Sequence, residues 1–80
     1  MLIGMGISKK TSKGRQILAA NMRARRAELG ISQEKLAELA DLHRTYVSGV
    51  ERAQRNIGID GIGKIARALK MKLSELLTEK

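Results

Sequence analysis

Arg44, Thr45 and Ser48 fall on one face of a short helix predicted to end around residue 52, and Val47 and Val50 fall on the opposite face. A guanidinium can give two parallel hydrogen bonds to guanine O6 and N7. A threonine offers a hydroxyl to a base or phosphate and a methyl to thymine, and a serine one turn on adds another hydroxyl. These groups read base edges when a helix lies in the major groove of a DNA duplex, so Arg44, Thr45, Ser48 and the adjacent Gly49 are candidate base contacts. Gly49 has two readings, because a missing side chain either admits close backbone approach to a ligand or relieves packing inside the protein. Tyr46, the only aromatic residue, either meets a phosphate or sugar or is a half-buried core residue. Arg52, Arg55 and Asn56 follow the helix and suit phosphate contacts.

Catalysis is a poor fit. His43 is the only histidine and there is no cysteine, so neither a metal pair nor a catalytic triad can be assembled around them. A chain of 80 residues also leaves little room for a concave active site. The residues predict no catalytic group, no metal, no cofactor and no small-molecule ligand, and His43 reads as a turn residue or a minor DNA contact.

The elements that must position Arg44 and its neighbours are legible in the spacing. Residues 33–52 read as two short helices joined by a tight turn, with Leu36, Ala37 and Ala40 inward on the first and Val47 and Val50 inward on the second. Ala37 is small where the second helix crosses at a steep angle. Asp41 stands where the first of the pair must stop and reverse, a left-handed position that Asp tolerates better than most residues, and Leu42 plugs the corner. Upstream, a helix is predicted over residues 14–29, with Leu18, Met22 and Leu29 inward, and a stop at Gly30. Ser32 caps the next helix. Downstream of a polar loop at 53–58, a helix is predicted over 60–69 with Ile62, Ile65, Ala66 and Leu69 inward, and a last short one over 74–77. No strand pattern is present, and the fold class is an all-α bundle of five helices. Leu73, Leu76 and Leu77 lie where so small a chain has few partners left to cover them, so they are candidates for a twofold homodimer interface.

Sixteen Lys and Arg against eight Asp and Glu give a formal charge of +8, which makes polyanions the expected partners. Residues 1–30 hold seven basic groups and one acid, whereas 31–58 balance four against four, so the flanks supply most of the field. Residues 1–14, rich in Gly, Ser and Lys, read as a flexible basic arm, and 15–80 as one DNA-binding domain. No apolar run approaches the roughly 20 residues that span a bilayer. The apolar start has no basic residue ahead of it, unlike a signal peptide. Both point to a cytoplasmic protein with no membrane partner.

With these residues in view, the chain resembles the Cro and phage-repressor type of helix-turn-helix protein. The resemblance rests on Met22, Arg23 and Arg26, then Gly30 to Glu34, Leu36 and Ala37, Val47 and Ser48, Val50 to Arg52, and Ile65, Ala66, Ala68 and Leu69. Within that family, residues 44–52 followed by Gln54, Arg55 and Asn56 are similar to the small controller proteins of restriction-modification systems. The chain departs from the usual pattern at Ala53, where Gly is favoured, at Gly58, where Pro is common, and at Lys72, where a capping Ser or Asp is usual. The resemblance implies a lambda-repressor-like bundle and a dimeric regulator that occupies a pseudo-palindromic operator and touches or blocks RNA polymerase. It also implies that Gln33 holds a phosphate at a helix N-terminus and that Arg26 pairs with Glu51 inside the protein. An antitoxin of a toxin-antitoxin pair, or an interaction module that keeps the fold without reading bases, would share most of these residues.

Overall fold

The computed structural model describes residues 12–80, which form five helices. These are α1 (Lys13–Leu29), α2 (Gln33–Ala40), α3 (Arg44–Glu51), α4 (Ile59–Ala68) and α5 (Leu73–Leu76). Helix α1 starts ahead of Gly14 because Ser12 caps it, its hydroxyl accepting from the Arg15 N–H at 3.1 Å. Lys13 and Gly14 therefore belong to the helix and not to the lead expected over residues 1–14, the rest of which lies outside the described residues apart from Ser12. Ser32 does the same for α2, accepting from the Lys35 N–H at 2.9 Å. For α3 the cap is His43, whose Nδ1 accepts from the Thr45 N–H at 3.3 Å.

Four helices end in one way. The residue after the helix, or one beyond it, turns left-handed, and two backbone N–H groups fold back onto the last turn. Gly30, Asp41, Ala53 and Lys70 hold this position, with φ of 66°, 57°, 59° and 58°. The closing bonds are Ile31 N–H to Arg26 O, Leu42 to Ala37, Gln54 to Gly49 and Met71 to Ala66, at 3.2, 2.9, 2.9 and 2.9 Å. After three of these ends comes an apolar residue, Ile31, Leu42 or Met71, that packs against the core. After α3 comes Gln54 instead, and the chain turns outward. Only one of the four left-handed positions is a glycine. Lys70 is exposed and carries a Cβ that disfavours its φ, so Lys70→Gly is expected to stabilise the protein by about 1 kcal/mol. Urea unfolding followed by helical circular dichroism measures it, and a loss of stability would mean that the Lys70 side chain contributes more than its backbone costs.

The interior is aliphatic. Leu18 and Met22 of α1, Leu36, Ala37 and Ala40 of α2, Val47 and Val50 of α3, and Ile65 and Ala66 of α4 pack with Ile57, Leu69 and Leu76. Leu29, Ile62 and Leu42 are partly buried against this cluster. One expectation is overturned here: Leu76 is 0% exposed and belongs to the core, whereas Leu73 and Leu77 stay open at 37% and 41%. Leu76 cannot serve as an interface residue, because α5 turns it inward against its own bundle. Asn21 explains why α5 holds that orientation. Its buried amide donates to the carbonyls of Leu76 at 2.7 Å and Thr78 at 2.9 Å, fastening the carboxyl end of α5 to α1. Arg25 adds a bond from Nε to the Leu69 carbonyl at 2.9 Å, and Lys13 pairs with Glu79 at 2.9 Å on the surface. At the amino end of α5 the Glu75 carboxylate accepts from the Lys72 N–H at 2.8 Å, one half of a capping box, while no side chain caps the first turn as a Ser or Asp would. No helix of the described residues is long and apolar enough to cross a membrane.

Candidate nucleic-acid interface

Helix α3 is amphipathic because Val47 and Val50, at 0% and 1% exposure, lie one turn apart, which turns Arg44, Thr45 and Ser48 outward. Arg44 and Thr45 are exposed and Ser48 is half-buried. Together they line the first two turns of the helix. Ser48 is not free in this state: its hydroxyl accepts from Nη1 of Arg52, which also gives Nε to Oε1 of Gln54 at 3.1 Å. Arg52 thus lies along the same helical stripe as Arg44 and Ser48.

Behind this face sits a charged cluster that fixes how α3 is carried. Glu51 is 2% exposed. Its carboxylate takes two parallel bonds from the Arg26 guanidinium, Nε to Oε2 at 2.8 Å and Nη2 to Oε1 at 3.1 Å, and a third from Nε2 of Gln33 at 2.9 Å. Arg26 also donates to the Ile31 carbonyl at 2.9 Å, and Arg23 to the Glu51 carbonyl at 2.6 Å. One buried carboxylate therefore joins α1, α2 and α3. No buried polar side-chain atom among the described residues is left without a partner, the condition under which a buried ion pair is tolerated. Gln33, expected at a phosphate, spends one amide N–H on Glu51 and stands half-buried at the start of α2, with a second N–H in reserve.

Tyr46 is half-buried against the core, and the Arg55 guanidinium lies over its ring, 5.4 Å from the centroid. Gly49 is buried. The two readings of Gly49 separate here: a Cβ at that position would come within 2.5 Å of Cγ of Arg55, so the space is filled by the protein's own arginine, and the missing side chain relieves packing and does not admit a base. Asn56 is exposed beyond Arg55. Among the described residues no group of His, Asp and Glu is placed to hold a metal ion.

Asn21 and Arg23 were not anticipated as anchors. The spacing carried a signal for Asn21, which stands i+3 from Leu18 and next to Met22, a polar residue on the inward stripe. Arg23 gave none, since its partner is a backbone carbonyl.

The model of the HTH_3 family, described as helix-turn-helix, matches residues 22–76. Control protein C.SmaI of Serratia marcescens is 44% identical over 64 residues, which span 80% of this chain and 76% of that protein. Two solved structures are similar. The hypothetical transcription factor NHTF from Neisseria superposes with a TM-score of 0.82 at 46% identity, over 84% of this chain and 77% of that one. The restriction-modification controller protein C.AhdI from Aeromonas hydrophila superposes with a TM-score of 0.75 at 44% identity, over 78% and 94%.

Proposed function

This chain belongs to the HTH_3 helix-turn-helix family, and on that premise we propose that it is a sequence-specific, DNA-binding transcription regulator, the controller protein of a restriction-modification system. It is similar to proteins named as controllers over most of its length, and its chemistry is that of a binding protein. The observation that carries the reading is the outer face of α3, where Arg44 and Thr45 stand exposed on a helix whose other side is locked by Val47, Val50 and Glu51. A rigid helix of that kind fits the major groove, with Arg44 aimed at a guanine and Thr45 and Ser48 beside it. Gln33, Tyr46, Arg52, Arg55 and Asn56 surround that face and supply donors to the phosphates on either side.

The active species is a homodimer joined through the exposed Leu73 and Leu77. Its operator is a pseudo-palindrome with half-site centres about 34 Å apart, one turn of the duplex. Regulation follows from occupancy of a promoter, where the dimer touches or blocks RNA polymerase.

Paired titrations of Arg44→Ala and Arg55→Ala against operator and scrambled duplex at fixed salt test the assignment. Arg44→Ala is expected to cost about 1 to 3 kcal/mol on the operator and to relax preference at one guanine per half-site, while Arg55→Ala weakens both duplexes alike. Equal losses on both duplexes for Arg44→Ala would make it a phosphate contact and move specificity to Thr45, Ser48 or DNA shape.

A further inference from the structure

Glycine in the middle of an eight-residue helix is a poor choice for the helix itself, and at position 49 the structure shows what occupies the space it leaves. The bond from the Gln54 N–H to the Gly49 carbonyl, 2.9 Å, and the left-handed Ala53 turn the chain back across the end of α3. That return lays the stem of Arg55 over Gly49, with Cγ 2.5 Å from the point where a Cβ would stand. The guanidinium comes to rest over the Tyr46 ring. Three neighbouring arginines are committed elsewhere: Arg52 to Ser48 and Gln54, Arg26 to Glu51 and Ile31, Arg23 to Glu51. Arg55, like Arg44, is not. Among the described residues it makes no hydrogen bond and no ion pair, only the ring contact. A guanidinium held over a ring and bonded to no acceptor of the protein keeps its N–H groups available to an anion.

We propose that Gly49 is a positioning residue for DNA binding: it seats the stem of Arg55 so that the guanidinium, braced on Tyr46, is already aimed at a single DNA phosphate before the duplex arrives. The inference rests on the reading of Arg55 as a phosphate contact. It adds that the contact is preorganised, and that a residue which never touches DNA sets it. The contact is independent of sequence, so a random-sequence duplex is a sufficient probe.

The experiment compares wild type, Gly49→Ala, Arg55→Ala and the double variant by fluorescence anisotropy on that duplex over a range of salt, with a thermal melt of each. Arg55 is exposed and can swing away from a new methyl, and Ala is the better helix former, so Gly49→Ala should melt no lower than wild type. It should nevertheless bind several-fold more weakly, with the log-log salt slope reduced by up to about 0.9, the share of one phosphate. The double variant should bind no more weakly than Arg55→Ala alone. Wild-type affinity and slope in Gly49→Ala would overturn the proposal. So would a double variant whose losses multiply, since Gly49 would then act without Arg55, and so would a loss of binding that tracks a lowered melting temperature. If wild type itself shows no salt-dependent affinity for duplex, the broader reading fails and not only this one.

Discussion

Glu51→Ala is expected to destabilise the protein by about 3 to 5 kcal/mol, because it leaves the Arg26 guanidinium partly buried with no counter-charge and the Gln33 amide without its acceptor. A chain of this size has roughly 5 to 10 kcal/mol in total, so one substitution at a residue remote from any base removes from about a third to nearly all of the stability margin. The conservative Glu51→Gln keeps the volume but turns an amide N–H toward the guanidinium, and retains much of the loss. Replacing both partners together, Arg26→Met with Glu51→Leu, should recover a good part of it, since no unpaired charge is then left behind. Urea unfolding of the four proteins separates these cases, and a cost below 1 kcal/mol for Glu51→Ala would show that the pair adds little to holding α3.

Leu76→Lys and Leu73→Lys should behave in opposite ways. Leu76 is fully enclosed, so a lysine there must bury an ammonium without a partner or expel α5 from the bundle, a cost of several kcal/mol. The variant is expected to lose helical circular dichroism at room temperature. Leu73 is open, and its replacement should leave the monomer's fold and melt nearly unchanged while shifting sedimentation from dimer to monomer, as the proposed interface requires. A folded Leu76→Lys would remove that leucine from the core. A Leu73→Lys protein that still sediments as a dimer would place the interface elsewhere.

The pair of leucine variants also shows where the amino-acid sequence is easy to read and where it is not. Long amphipathic helices announce their inner face by repetition: Leu18 and Met22, or Ile65 and Leu69, have enough turns around them to fix which side is buried. Helix α5 has four residues, a single turn, and three leucines within five positions. A stretch that short has no period, and tertiary packing on the core, with the bonds from Asn21, decides that Leu76 faces in. Helix ends were legible where residue type and geometry agree, as at Gly30 and Asp41. At Ala53 and Lys70 the ends were legible to within a residue, but the left-handed turn that makes them was not, because the backbone adopts it in spite of the side chain. The outward face of α3 was visible from its two valines. The role of Gly49 was not, because the side chain that fills its space comes from six residues further on, across a loop whose path no local pattern encodes. The Arg26–Glu51 pair was visible only through family resemblance, since nothing in hydrophobic periodicity asks for a carboxylate in a core.

The seam between α1 and α5 bears on the order in which the molecule assembles and comes apart. The bonds from Asn21 to Leu76 and Thr78 join groups 55 and 57 residues apart, whereas α2 and α3 pack as immediate neighbours in the chain. Closing a long loop costs entropy before its contacts give anything back, and contacts between adjacent helices form first. The α2–α3 pair can therefore dock on α1 while α5 is still unattached, with Leu76 the last large side chain to enter. By the same token α5, one turn held by few bonds, is the part whose opening costs least. Amide protons of residues 73–78 should exchange with solvent through local opening well before those of α2 and α3, so α3 stays formed in molecules whose carboxyl-terminal turn has already come away.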